Sequence, residues 1–149
     1  MPEGHTIHRV ARDHGKLFAG ERLAVSSPQG RFADGAAELD GRRLAEVEAI
    51  GKHLFYRWEG SPKRRGKRAG DATDVLHVHL GLYGKFRLHK SRDESGDWPK
   101  PRGAVRVRMV GADAAFDLNG PNRCELLDAE GYRRHAERLG PDPLRKDAD

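Results

Sequence analysis

About six short segments of alternating apolar and polar residues, a helical stripe at the start and a second helical stretch near the end predict an α+β, mainly β chain. The architecture they imply is a two-layer antiparallel β-sandwich flanked by an N-terminal helix and a short C-terminal helix. At 149 residues the chain is long enough for one domain with its own core. No repeat of fixed period interrupts this reading.

Taken in order, Ile7, Val10, Ala11, Leu17 and Phe18 share one helical face, and Gly20 stands where a helix stop belongs. These mark a helix over residues 4–18. The pattern then becomes strand-like. "ERLAVSS", "RRLAEVEAI" and "AVRVRMV" alternate, while "KHLFYRW", "VLHVHLGLYGKFRL" and the short "AAFDL" are rich in β-branched and aromatic residues. "SPQG", "DG", "EGSP", "GAD" and "NGP" punctuate them as turns. "DAEGYRRHAERLG" reads as a last short helix ending at Gly140, and "PDPLRKDAD" as a linker.

Charged residues make up 34% of the chain, against a norm of about 25%. The net charge of +5 and a pI near 9.6 favour a polyanionic partner. One cysteine, Cys124, excludes an internal disulfide and a cysteine-based zinc finger within these residues. No apolar run reaches the ~18 residues of a membrane span and no signal-peptide pattern opens the chain. The expectation from composition is a cytosolic protein.

Several residues could carry chemistry. Pro2 follows the start Met. It is either a helix-starting proline, fixed in φ and lacking an amide that would be an orphan anyway, or, after Met removal, a terminal secondary amine. Lys52, behind Gly51 at the start of a strand, is either surface charge or a phosphate or acid–base residue. In "HLGLYG" two glycines bracket Leu82 and Tyr83. The pair is either hairpin packing or an exposed wedge between stacked bases. Lys63, Arg64, Arg65, Lys67 and Arg68 form a basic loop among Gly and Ser. It is either a solvated segment or a source of salt-sensitive phosphate contacts. His77 and His79 share a strand face. With His53 or His89 they could bind a metal, but a hydrogen-bonded pair is the preferred reading, since no carboxylate or cysteine lies close by in sequence.

"MPEG", "GKHL", "HLGLYG" and "RLGPDPL" occur in this order over nearly the whole chain. Together they resemble the N-terminal domain of the formamidopyrimidine-DNA glycosylase/endonuclease VIII family, most closely its actinobacterial endonuclease VIII-like branch. The resemblance implies a DNA repair glycosylase and AP lyase that excises oxidised bases. Pro2 would be the nucleophile forming a Schiff base, and Glu3 the proton donor that later assists β/δ-elimination. Lys52 would contact the DNA backbone, and Leu82 and Tyr83 would enter the gap left by a flipped nucleotide. A terminal amine suits this role independently, because it titrates near 7.7–8.0 against about 10.4 for lysine.

The resemblance has departures. Thr6 replaces a second carboxylate of the opening motif, and His5 a commoner proline. Arg123 in "DLNGPNRCEL" is basic but out of register with an arginine-rich loop of many relatives. Residues 1–139 would be the catalytic domain and 140–149 the start of a linker to an absent helix–two-turn–helix and zinc-finger half. The resemblance also implies a bacterial, cytoplasmic, nucleoid-associated monomer. The expected partner is damaged DNA, not a membrane. No cofactor and no metal is expected within this chain, zinc belonging to the missing half. The isolated domain is expected to be weakly active or inactive. The alternative is a module without chemistry that binds damaged or distorted DNA.

Overall fold

The computed structural model describes residues 4–59 and 74–139. The order is α1 (Gly4–Phe18), β1 (Ala24–Ser26), α2 (Ala33–Leu39), β2 (Arg43–Ile50), β3 (His53–Glu59), β4 (Val75–His79), β5 (Lys85–His89), β6 (Val105–Val110), β7 (Ala115–Asn119), β8 (Arg123–Leu127) and α3 (Ala129–Leu139). Two four-stranded antiparallel sheets face one another: sheet A in the order β2-β3-β4-β8 and sheet B in the order β1-β6-β7-β5. The sandwich with a helix at each end is as expected from the sequence, but among the described residues the strands number eight and there is an additional helix.

The differences have local causes. "VLHVHLGLYGKFRL" is two strands on different sheets, because Gly81–Gly84 turns the chain from one layer to the other. "RCELL" is exposed at Arg123, half-buried at its other four residues, and among the described strands pairs with β4, so it lacks the alternation that marks a strand. The seven residues of α2 are too few for a stripe. They are held by Phe32, whose ring lies over Gly35 where a Cβ would come within 2.4 Å of it.

Between the sheets, alternate residues of each strand form the core. Leu54, Tyr56 and Trp58 of β3 and Leu76 and Val78 of β4 meet Val107, Met109, Phe116 and Leu118 of sheet B. Each such side chain contributes roughly 1.5–3 kcal/mol when fully buried. Helix α1 inserts Ile7, Ala11 and Phe18 into the same core. His14, only 4% exposed, lies 2.8 Å by its Nδ1 from the Tyr56 hydroxyl and stacks on Phe116 at 4.4 Å. One helix thereby touches both layers.

Helix α1 runs antiparallel to β2. Beyond its last turn the Gly20 amide donates to the Leu44 carbonyl at the start of β2 (2.7 Å). His14 reaches Tyr56, which opposes Val47 in mid-strand. Fifteen residues advance about 22 Å, so Gly4 lies toward the Ile50 end of that strand.

The outer face of sheet A is covered by α3. Ile50, Phe55 and Val75 pack with Leu127, Tyr132, Ala136 and Leu139. Asp128 opens this helix as an N-cap, its carboxylate accepting the Gly131 amide at 2.7 Å. Tyr132 meets Phe55 edge-on at 5.3 Å, lies under the Arg57 guanidinium at 4.5 Å, and donates its hydroxyl to Glu48.

Candidate nucleic-acid interface

Strand register brings three chain reversals to one end of sheet A. Ile50 opposes His53, His53 opposes His79, and His79 opposes Arg123. These residues form one row across four strands spaced about 4.8 Å apart. The β2–β3 turn is the two-residue Gly51–Lys52, with Gly51 at φ +59°, the position where a type II′ hairpin turn needs glycine. Lys52 therefore stands exposed at the tip. Beside it the chain passes from β4 to β5 and from β7 to β8, the two connections that cross between the sheets at this end. The start of α1 lies toward the same end.

The glycines of "GLYG" are set by this crossing. Gly81 adopts φ +66°, and a Cβ there would lie 2.6 Å from the Asn122 Cβ. At Gly84 a Cβ would come within 2.3 Å of the Leu80 carbonyl oxygen, which accepts the Gly84 amide at 3.0 Å. The β7–β8 connection braces the turn. The Asn122 amide donates to the Leu80 carbonyl (3.2 Å), and the Asn122 side chain donates to His79 Nδ1 (3.2 Å). A closed turn of four residues has no room to fold its middle side chains inward. Leu82 is 61% exposed and Tyr83 83%, the most exposed large hydrophobic residues among those described.

Three cations stand at the same end of the sheet. Lys52 and Lys85 are exposed, and the Arg123 side chain is half exposed. Burial, then the charges of Arg123 and Lys52, hold His79 below the ordinary histidine value. An apolar wedge with positive charge nearby can enter a base stack while its neighbours hold phosphates.

Behind this end lies a histidine cluster on the outer face. The His53 ring stacks on His79 at 4.4 Å, and its Nδ1 lies 2.8 Å from His77 Nε2. His77, wholly buried, has its Nδ1 2.8 Å from Glu125 Oε2. Burial chiefly, then the neighbouring His77 and His79, depresses His53 to about 4. Burial also lowers His77, against the pull of Glu125. The rings are therefore neutral near pH 7. A carboxylate only accepts, so His77 carries its proton on Nδ1 and accepts at Nε2 from His53 Nδ1–H. The pair expected from sequence is His77 with His79; instead His77 bonds His53, while His79 accepts from Asn122. The carboxylate missing from the local sequence arrives from β8. His89 is on sheet B, bonded to the buried Asp117 at 3.0 Å.

The sequence-derived candidates divide. Lys52, Leu82 and Tyr83 come to one end of the molecule. Pro2 and Glu3 lie outside the described residues, as do Lys63, Arg64, Arg65, Lys67 and Arg68. That basic segment is flanked by Glu59 and Asp74, and the seven residues of β3 put these flanks about 20 Å from the Lys52 end. Sequence reasoning missed Asn122, whose bracing role is set by a partner 42 positions or more away. The Gly120–Pro121 turn signal before it was the only local hint.

Known proteins share this chain's sequence pattern and fold. The description of the formamidopyrimidine-DNA glycosylase N-terminal domain matches residues 1–123. The chain is 51% identical over 148 residues to an endonuclease 8 1 of Mycobacterium tuberculosis (strain ATCC 25618 / H37Rv), covering 99% of this chain and 50% of that protein. It is 28% identical to an endonuclease 8 of Salmonella agona, covering 97% of this chain and 50% of that one. The chain thus spans about half the length of the curated relatives it matches. In fold it is similar to the Lactococcus lactis formamidopyrimidine-DNA glycosylase solved non-covalently bound to DNA containing an abasic site. That likeness has a TM-score of 0.69 at 20% identity, covering 98% of this chain and 54% of that one. A family match over most of the chain, and the same sandwich in solved members, lead to one conclusion: the chain belongs to the formamidopyrimidine-DNA glycosylase family, through that family's N-terminal domain.

Proposed function

We propose that the chain is the catalytic N-terminal domain of a bifunctional DNA glycosylase and AP lyase acting on oxidised bases. The observation that carries the reading is the gathering of the Lys52 turn, the exposed Leu82–Tyr83 wedge and the start of α1 at one end of sheet A. Leu82 and Tyr83 fill the space of an extruded nucleotide, and Lys52 holds the phosphate beside it. The Lys63–Arg68 segment adds sequence-independent phosphate contacts.

The chemistry assigned to Pro2 and Glu3 follows from covalent position. With Met1 removed, the Pro2 nitrogen is a free secondary amine two residues before α1. The first turn of that helix has no acidic residue, so its positive end favours the unprotonated amine. The nitrogen lone pair forms a bond to the anomeric carbon, and the base departs with the electrons of the glycosidic bond. Glu3 gives a proton to the ring oxygen as the sugar opens, leaving an iminium. Removal of the proton next to that carbon then expels the strand's 3′ phosphate. No cofactor or metal enters these steps.

The second reading is a module that binds distorted DNA without chemistry. It shares the interface but has no need of a terminal amine. The interface itself is tested by titrating this chain with duplex DNA containing an abasic-site analogue. Lys52→Ala, and Leu82→Ala with Tyr83→Ala, should each weaken binding, the latter with little effect on intact duplex. Unchanged affinity in both would remove this end of the sheet from the DNA site.

A further inference from the structure

We propose that His77, Glu125 and His135 form a divalent transition-metal site of the zinc class that fastens α3 to the outer face of sheet A. The inference does not rest on the DNA-repair reading, and its test uses no DNA.

The three residues come from β4, β8 and α3, and one ligand atom of each lies within 4.8 Å of the others. Glu125 Oε2 is 2.8 Å from His77 Nδ1 and 3.7 Å from His135 Nε2. A tetrahedral ion with bonds of about 2.0–2.1 Å separates its ligands by about 3.4 Å. Glu125 must therefore retreat by about half an ångström from His77, and His135 must advance slightly. Two imidazoles and a carboxylate are a donor set that zinc accepts, leaving a fourth position for water. That position faces outward, since Glu125 is partly exposed while His77 is wholly buried.

The surroundings supply the second layer of such a site. A ligating histidine usually donates its other ring N–H to a fixed acceptor, and His77 Nε2 already meets His53 Nδ1 at 2.8 Å. With an ion on His77 Nδ1 the proton resides on Nε2, and His53 accepts at Nδ1 and carries its own proton on Nε2. Both rings change tautomer and neither gains or loses a proton. Burial holds His135 on the neutral side as well.

The rim opposes the ion. Arg138 donates to His135 Nδ1 at 2.6 Å, and Arg123 lies 3.7 Å from Glu125 Oε2. An ion on His135 Nε2 leaves Nδ1 protonated, so Arg138 must swing away. Arg138 is thus a competitor of the metal for His135, and its removal should strengthen metal binding.

The test titrates the 149-residue chain with Zn²⁺ by calorimetry and with Co²⁺ by visible absorption. The expected result is one ion per chain, a raised melting temperature and the intense cobalt bands of a four-coordinate centre. Glu125→Gln and His135→Ala should each weaken zinc binding at least about tenfold, while Arg138→Ala tightens it several-fold. Metal-free melting curves establish that each variant is folded. Should either ligand variant fail to fold, the Arg138→Ala comparison decides, and unchanged or weaker affinity there overturns the proposal. Wild-type chain that binds no zinc, cobalt bands of six-coordinate type, or equal affinity in both folded ligand variants overturns it too.

Discussion

Single residues carry two of the account's sharpest consequences. Gly81 and Gly84 hold the wedge turn because no side chain fits at either place. Gly84→Ala should destabilise the chain by roughly 1–3 kcal/mol, read as a lower urea midpoint. A neutral effect would mean that the turn is looser than described. His14 is pushed from its ordinary 6.5 to about 4 by burial, with Asp13 pulling weakly the other way. The unfolded chain takes up a proton near pH 6.5 that the folded chain refuses until about pH 4. Stability from this group is complete above that window and is lost as pH falls through it, by about 3 kcal/mol in all. His14→Phe, which keeps the stack on Phe116 but deprives Tyr56 of its partner, should lower stability at pH 7 and flatten the slope between those values. An unchanged slope in chemical denaturation would assign the acid sensitivity elsewhere. The glycine spacing of "GLYG" was legible in the sequence, because glycine marks tight turns. The burial of His14 was not, because its neighbours come from both sheets.

At the scale of elements, the interface is three reversals at one sheet end. Two predictions belong here. Affinity for DNA should fall steeply with salt, and Lys52→Ala, Lys85→Ala and Arg123→Ala should each reduce the slope of log affinity against log salt by about one if each holds a phosphate. Fluorescence titration from low to moderate salt reads this directly, and a flat dependence contradicts the electrostatic assignment. Leu82→Ala should impair excision from duplex DNA more than cleavage at an abasic site in single-stranded DNA, because unstacking costs a few kcal/mol and least for an unpaired nucleotide. This comparison belongs to a chain extended to the length of its relatives, and equal losses would make Leu82 a packing residue. Helix α1 and most strands could be read from period alone, since one buried face leaves a regular trace. Strand β8 could not, because α3 covers its outer face and erases the alternation. The grouping of His77, Glu125 and His135 was equally hidden, being made by register across β4 and β8 and by the docking of a helix.

The whole molecule is a sandwich whose two layers are joined at the end that bears the wedge. It spans about half the length of the endonuclease 8 relatives it matches. Chemistry at an abasic site should depend on the terminal amine alone. With Met1 attached, the Pro2 nitrogen is a tertiary amide whose lone pair is delocalised into the carbonyl. It can neither attack a sugar nor form an iminium, and Glu3, which is no amine, does not replace it. The direct measurement separates the Met1-bearing and Met1-free forms by intact mass and treats each with borohydride on DNA containing an abasic site. The account predicts a covalent protein–DNA adduct from the Met1-free form only, attached through Pro2. Efficient trapping of the Met1-bearing form, or none by either form even in a chain extended to the length of its relatives, would contradict it.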